Sequence, residues 1–417
     1  MNISLANSKK SRTLVAALLS VLFAWTLLIE SFGAHRQTTQ TQQTPPAAPP
    51  ATPPVAQKPI PPLPSPKGSP ESLSAVDFSR ISDEISEPGG YFRSDNFTSN
   101  ETPYLHIVDK LKQIAQPGGA YIGVGPEQNF TYISKVRPRI AFIIDIRRQA
   151  IIQHLMYKAI FQHSPTRAQF LSMLLSRPIA KDKKFTPDSP LSELVAYFGE
   201  GKPDEKAFAA NLALIRKTLK DDVKYPLTDQ DQAGLEYICK NFYDRGLDIS
   251  YQMAGMGGFR SNMFPGLREI LMETDLNGKL GNFLANKDDY DFVRDMHHRN
   301  MIIPVVGDFA GPKALAGIGD YLKKNNYTVT AYYLSNVEQY LFQDNIFGAF
   351  ANNVRKLPIT DKSLMIRSIS GRATHPARQP DHRSVTLMEQ IAVFLKDVDT
   401  GAYQSYNDLA NIHYIAP

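Results

Sequence analysis

The chain has 417 residues, of which 42% are apolar and 21% are charged, proportions typical of a soluble globular protein. Its formal net charge is +5, but residues 1–74 hold six basic and two acidic side chains and so carry +4 of it. The nearly neutral remainder argues against a surface that follows nucleic-acid phosphates, so no nucleic-acid partner is expected. The single cysteine, Cys239, excludes an internal disulfide and a cysteine-based zinc site, and its amphipathic helical surroundings predict a buried structural thiol.

An apolar segment near the N-terminus predicts export or membrane attachment. Basic side chains within residues 9–12 precede the uncharged run 13–29, a layout shared by signal peptides and single membrane spans. A small-x-small pattern at 31–33 offers a cleavage site, so residues 1–34 are either a signal-anchor or a signal peptide. The basic flank places the N-terminus in the cytoplasm. We therefore expect a domain outside the cytoplasm, anchored in the membrane through residues 13–34, or secreted or periplasmic if the segment is cleaved.

A linker rich in proline, threonine and glutamine follows over residues 35–74. Twelve of the chain's thirty prolines lie between positions 45 and 70. Such a composition cannot bury much apolar surface and predicts a disordered, semi-rigid polyproline-II spacer. The P-x-x-P matches within it are alternatively ligands for a proline-recognising partner.

The folded part, residues 75–417, alternates strands with helices. Short apolar runs predict five strands, at 120–125, 139–146, 301–309, 328–335 and 363–369. Strands separated by helices predict an α/β fold built on a doubly wound, mostly parallel sheet. The largely helical stretch 163–300 is then a large insertion between the second and third strands.

Glycines and acids stand where the predicted strands end, which is where parallel sheets bind ligands. The first strand ends at Gly123 and Gly125, which would let a ligand approach the backbone closely at a helix N-terminus. Asp145 ends the second strand, twenty residues after Gly125, the spacing at which an acid holds ribose hydroxyls. Gly307 and Asp308 end the third strand. The pattern predicts a site for a nucleotide-type ligand.

Further candidate residues lie beside these strand ends. The fourth strand is followed by three polar residues that are the candidate catalytic or substrate-facing groups: Asn336, Glu338 and Tyr340. Three more residues complete the candidate cofactor-binding set: Glu127, Asn129 and Arg147. The segment 100–104 precedes the first strand and is expected either to cover the cleft as a lid or to cap a helix through Asn100.

The strand ends resemble those of a known enzyme family. Gly123 and Gly125, with Asp145 and the pair Gly307–Asp308, are similar to the cofactor-binding strand ends of class I S-adenosylmethionine-dependent methyltransferases. The resemblance implies a Rossmann-like fold with S-adenosylmethionine as cofactor. It also implies that Asp145 binds the ribose and that Asp308 lies near the adenine.

Two sequence blocks carry a second resemblance. The stretches 121–149 and 305–342 resemble an uncharacterised bacterial family described as methyltransferase-like, over most of residues 90–370. Asn336 would then lie near the catalytic or substrate-facing position of the methyltransferases. Two positions depart from the methyltransferase pattern, which usually has an acid where this chain has Tyr121 and a third glycine where it has Glu127.

These observations leave three functions open. The first is a tethered or exported domain that binds a nucleotide-type or other small ligand without necessarily catalysing a reaction. The second is an active S-adenosylmethionine-dependent methyltransferase. The third is a non-catalytic module that binds a protein partner in the cell envelope. The export signal and Glu127 favour the non-catalytic alternatives, because the cofactor is a cytoplasmic metabolite and a carboxylate at that position repels its carboxylate.

No metal site is predicted. His297 and His298 are adjacent on a helix and point in different directions, so they cannot bind one ion together. The stretch 275–278 resembles part of a calcium loop, but it lacks the downstream ligands and predicts a turn. His375 and His382 lie in a polar, basic loop and are expected at the surface.

Overall fold

The computed structural model describes residues 68–253, 264–370 and 375–417. The apolar run 13–29 and nearly all of the linker 35–74 lie outside these residues, so the predictions made for them stay predictions. Among the described residues, no helix is both long enough and apolar enough to cross a membrane.

The centre of the structure is a six-stranded, mostly parallel sheet, which confirms the predicted α/β class. In chain order the strands are β1 Ser94–Asp95, β2 Ala120–Gly123, β3 Ile140–Asp145, β4 Gln252–Met253, β5 Ile302–Val306, β6 Val329–Ser335, β7 Leu364–Ser370 and β8 Ser384–Gln390. The sheet order is β5-β3-β2-β6-β7-β8, with the first five strands parallel and β8 antiparallel to β7. Strands β1 and β4 pair separately as a short antiparallel ribbon.

Fifteen α-helices surround the sheet in the described part of the chain. They are α1 Ala75–Ile85, α2 Val108–Ile114, α3 Gln128–Val136, α4 Arg148–His163, α5 Arg167–Leu175, α6 Leu191–Glu200, α7 Glu205–Lys217, α8 Asp229–Arg245, α9 Leu267–Met272, α10 Lys287–His298, α11 Ala314–Lys324, α12 Val337–Gln343, α13 Phe347–Val354, α14 Ile391–Thr400 and α15 Tyr406–Asn411. Helices α4 to α10 all lie between β3 and β5, where the sequence predicted a helical stretch.

Helices cover both faces of the sheet. Every residue of β2, β3 and β5 is buried, although neighbouring side chains along a strand point to opposite faces. On one side, α10 contacts both α3 and α4, and α4 packs on β3 and β5. A second group is centred on α11, which contacts α1 and α13 and packs on β3. Burial on both faces explains why these strands read as continuous apolar runs.

Two elements differ from the sequence prediction. A single helix was expected over residues 337–357, but the structure has α12 and α13, separated at Asn345, whose φ of 56° is left-handed. Asparagine tolerates that conformation better than most residues. Strand β8 was not predicted, because its antiparallel pairing with β7 across the sheet edge has no signature in the local sequence.

A buried ion-pair triad joins the last two strands of the sheet to α12. The Arg367 guanidinium donates to both carboxylate oxygens of Glu338 at 2.8 and 3.2 Å and to Glu389 at 2.6 Å. All three side chains are at most 1% exposed. Tyr403 donates a further hydrogen bond to Glu389 at 2.6 Å. The triad therefore places Glu338 in the core, although the sequence predicted it to face a substrate.

Replacing Arg367 with methionine is expected to destabilise the fold by about 3–5 kcal/mol, because two buried carboxylates lose their counter-charge. The matched control is Arg355→Met, since Arg355 pairs with Asp399 at the surface, where an ion pair contributes about 0–1 kcal/mol. Urea denaturation of both variants measures the difference. Equal losses in the two variants would contradict a structural role for the triad.

Candidate functional site

A cavity of about 560 Å³ lies at the carboxyl ends of β2, β3, β5 and β6. Its volume is in the range of small-molecule sites. From β2 the chain adds β3 and then β5 on one side of the sheet. It then crosses to the other side of β2 and adds β6, β7 and β8. The cavity lies where the strand order reverses in this way. The structure brings seven of the predicted site residues to its walls: Gly125, Asp145, Arg147, Gly307, Asp308, Asn336 and Tyr340.

Gly123 and Asn129 lie beneath the cavity and shape the loop that borders it. A β-carbon on Gly123 would come within 2.0 Å of the Asn129 side-chain oxygen, so only glycine fits there. The Asn129 amide donates to the carbonyl oxygens of Val124, Gly125 and Pro126 at 2.8–3.0 Å. These two residues therefore fix the loop and do not line the cavity.

Gly125 presents its backbone to the cavity. Its φ of 78° is left-handed, a conformation that favours glycine, and apart from its chain neighbours no described residue has an atom within 4 Å of where its β-carbon would be. Its carbonyl oxygen accepts a hydrogen bond from His154 Nε2 at 2.8 Å. Burial lowers the pKa of His154 to about 4, so the imidazole is neutral at physiological pH and holds the loop as an ordinary donor.

Asp145 is engaged by Arg147. The guanidinium Nε and Nη2 donate to the two carboxylate oxygens at 3.0 and 2.7 Å, and the Arg147 backbone N–H donates at 3.0 Å. Both side chains are at least nine-tenths buried. Nη1 of Arg147 reaches the carbonyl of Ser94 at 3.1 Å. The carboxylate predicted to bind ribose thus already has its charge balanced by Arg147. Because Arg147 also contacts Ser94, the ion pair links β1 to the sheet.

Asp308 is the acid with capacity for a ligand. Its Oδ1 accepts from the Ala310 backbone N–H at 2.9 Å, and no described residue donates to Oδ2. The neighbouring Glu87 accepts from the backbone N–H groups of Lys313 and Ala314 at 2.8 and 2.7 Å and so caps α11. Because Glu87 satisfies that helix terminus, the Asp308 carboxylate remains available at the cavity wall.

The cavity wall formed by residues 91–101 includes the carboxyl group of Glu101. The sequence indicated this residue only within the segment 100–104, as a lid or a helix cap. Glu101 lines the cavity and is 4% exposed. It accepts hydrogen bonds from the hydroxyls of Tyr333, at 2.8 Å, and Ser335, and from the Gln128 amide at 3.3 Å. No cationic side chain in the described part of the chain pairs with it. Burial raises the pKa of Glu101, and its three donors offset only part of that effect.

Ser335 holds an unusual backbone conformation beside Glu101. Its φ of 52° is left-handed, which is uncommon for a residue other than glycine, asparagine or aspartate. Backbone conformations of this kind concentrate at binding and catalytic sites. The hydroxyl contacts Glu101, and the next residue, Asn336, lines the cavity. The end of β6 is thus shaped around the Glu101 carboxyl.

Glu127 supports the wall from behind and does not line the cavity. Its Oε1 accepts the Ser99 backbone N–H at 3.1 Å, whereas Oε2 is buried without a partner among the described residues. Burial raises the pKa of Glu127 to about 7. The Ser99 hydroxyl in turn donates to Gln128. The first turn of α3 therefore anchors residues 96–101 over the cavity.

Other sequence predictions can be compared with the structure. Cys239 is buried, as expected of a structural thiol. Asp275 Oδ1 accepts the backbone N–H groups of Asn277 and Lys279, which confirms a turn. His297 stacks on Phe161 with ring centroids 4.5 Å apart and is wholly buried. The expectation that His375 is at the surface is wrong, because it is 8% exposed and both ring nitrogens contact backbone groups.

The raised pKa of Glu127 predicts a pH dependence of stability. Between pH 4.5, the ordinary glutamate value, and about 7, the native state holds a proton that the unfolded chain has lost. The contribution of Glu127 to the free energy of unfolding is therefore fully present at low pH and is lost as the pH rises through 7. The loss is on the order of 3 kcal/mol.

Glu127→Gln cannot ionise and should not show this loss. Its stability relative to the wild type, measured by urea unfolding, should rise between pH 5 and pH 8. The exposed control Glu200→Gln should keep the same offset from the wild type at both pH values. A Glu127→Gln offset that does not change with pH would refute the buried, protonated carboxyl.

Comparison with known proteins gives one family. A family model described as a domain of unknown function (DUF7790) matches residues 96–185 and 208–413, which together make up more than half of the chain. The comparison with curated proteins gave no match. The matched residues include residues 96–101 of the cavity wall and every strand of the six-stranded sheet. The chain therefore belongs to the DUF7790 family, whose description assigns no activity.

Proposed function

We propose that the cavity binds a small molecule containing a nucleoside, and that S-adenosylmethionine is the first ligand class to test. The observation that carries the proposal is the cavity's position at the reversal of strand order, between the Gly125 loop and the Asp308 carboxylate. When the six strands of the sheet are numbered in chain order, they lie side by side as 3-2-1-4-5-6. This is the strand order of doubly wound Rossmann-like sheets. The helical stretch between β3 and β5 is then an insertion in that fold.

Each wall of the cavity offers a different kind of contact. The open backbone at Gly125 allows close approach of a ligand, as at other glycine-containing strand ends. Asp308 is placed to accept hydrogen bonds from hydroxyl or exocyclic amino groups. Glu101 is a buried carboxyl that no described cationic side chain pairs with, so a ligand with an ammonium group would supply the missing charge. S-adenosylmethionine carries all three features, namely a nucleoside, ribose hydroxyls and an ammonium group.

Methyl transfer is an extension of this proposal. Asn336 and Tyr340 line the cavity next to the Ser335–Glu101 contact, so an acceptor molecule would lie among them. In such a reaction the methyl group moves from the sulfonium to the acceptor, the sulfur keeps the bonding electron pair, and the proton of the acceptor is released to water. Glu127 does not oppose the cofactor carboxylate directly, because it lies outside the cavity lining.

Calorimetric titration of the full chain in detergent with S-adenosylmethionine and S-adenosylhomocysteine tests the binding proposal. We expect saturable binding of one ligand per chain. Asp308→Asn should weaken it by about 10–100-fold, the effect of losing a hydrogen bond to a charged group. Glu101→Gln should weaken it as well.

The control for Asp308→Asn is Asp320→Asn, an exposed aspartate on the following helix α11, which should bind as the wild type does. Absence of binding at millimolar ligand would contradict the proposed ligand class. Equal binding by Asp308→Asn and Asp320→Asn would contradict the assigned site.

We also propose that the N-terminal apolar run holds the domain at a membrane and outside the cytoplasm. The support is the basic flank before the uncharged run 13–29 and the proline-rich spacer after it. The full chain should sediment with membranes and resist extraction by carbonate, whereas a chain lacking residues 13–29 should be soluble. Protease added to intact cells or spheroplasts should reach the domain of the full chain. A full chain found in the soluble cytoplasmic fraction would contradict the tether.

A further inference from the structure

Two histidines and a glutamate from three distant parts of the chain meet behind the cavity wall. Potential ligand atoms of His106, Glu273 and His382 all lie within 4.8 Å of one another. His106 ends the short helical turn Thr102–Leu105, Glu273 follows α9, and His382 precedes β8. Because these positions are far apart in sequence, tertiary structure brings them together.

The His106 side chain has no hydrogen-bond partner among the described residues. The residue is 7% exposed. Its ring meets the His382 ring edge to face, with centroids 4.7 Å apart. An imidazole without a partner in the described part of the chain, with two further ligand-type side chains within 4.8 Å, is suited to bind an ion.

The other two residues are oriented by neighbours. The His382 Nδ1 lies 2.8 Å from the Thr102 hydroxyl, which leaves Nε2 for another partner. Histidines that bind metals commonly use the second nitrogen in this way to fix the ring. Glu273 accepts the Thr274 backbone N–H through Oε1 at 2.9 Å, which leaves Oε2. Both residues are partly buried. Each of the three side chains thus has a ligand atom to contribute.

We propose that His106, Glu273 and His382 bind one divalent transition-metal ion of the zinc class. Two imidazoles and one carboxylate form a donor set that zinc accepts with a fourth position open to water. Calcium and magnesium prefer sets made wholly of oxygen atoms, so the two imidazoles select against them. The sequence predicted no metal and placed His382 at the surface, because nothing in the local pattern links it to His106.

The ion would connect the cavity wall to the rest of the domain. Thr102 contacts His382 and directly follows Glu101, so a bound ion would fix the turn that carries the Glu101 carboxyl. It would join that turn to the end of α9 and to the segment before β8. This inference does not depend on the proposed ligand of the cavity, since its residues do not line the cavity.

Titration of the untagged, metal-free full chain in detergent with Co²⁺ and Zn²⁺ tests the proposal. We expect one equivalent of Co²⁺ to give visible d–d absorption, without the near-ultraviolet charge-transfer band of a thiolate ligand. Zn²⁺ should displace the cobalt and raise the thermal unfolding temperature. His382→Ala and Glu273→Gln should abolish stoichiometric binding, and Thr102→Val should weaken it by about 10–100-fold through loss of the supporting hydrogen bond.

The exposed histidine His298 provides the matched control, and His298→Ala should bind cobalt as the wild type does. Circular dichroism of each variant in the absence of metal verifies that it is folded. The proposal is overturned if the wild type binds no stoichiometric metal, in which case the histidine rings only pack together. It is also overturned if folded His382→Ala retains the cobalt spectrum.

Discussion

The reversal of strand order beside β2 is the constraint on which the rest of the structure depends. The chain leaves β2 for β3 on one side, while β6, on the other side of β2, continues toward β7. Because the connections depart in opposite directions, a crevice is left at the strand ends between β2 and β6. Strands β2, β3 and β5 are buried on both faces and hold mainly apolar side chains, so the charged groups of these strands lie at their ends. The cavity and its lining follow from this arrangement.

The wall formed by residues 91–101 contributes both a buried acid, Glu101, and a cation, Arg93, to the cavity lining. It is held by the β1–β4 ribbon, by the contact between Arg147 and Ser94, and by the contact between Glu127 and Ser99. The Arg147 side chain that holds the wall also pairs with Asp145, whereas Glu101 is a buried carboxyl whose donors in the described part of the chain are neutral. The cavity therefore presents an acidic group at its back, which favours a cationic ligand group over an anionic one.

The sequence predicted cavity residues best where they directly follow a strand that the sequence also predicts. Glycines and acids that follow apolar runs located four of the residues that line the cavity, including Gly125 and Asp308, because parallel strands end at one edge of the sheet. Gly123 was predicted to let a ligand approach the backbone, but in the structure its missing side chain makes room for Asn129.

The remaining residues depend on contacts between distant segments. Glu338 belongs to a helix that follows a strand end, and only the position of Arg367 on β7 explains its burial. Glu101 precedes the first strand of the sheet by nineteen residues, and its place in the cavity depends on Tyr333 and Ser335 far along the chain. Such placements follow from the assembled fold and have no local period or motif that could predict them.

The most direct test of the account is a structure of the protein determined with S-adenosylhomocysteine bound. The account predicts ligand density in the cavity, with a hydroxyl or amino group of the nucleoside within hydrogen-bond distance of Asp308 and the ligand's ammonium group beside Glu101. A cavity that stays empty at saturating ligand, or a ligand bound elsewhere on the domain, would contradict the proposal that this strand-end cavity is the binding site.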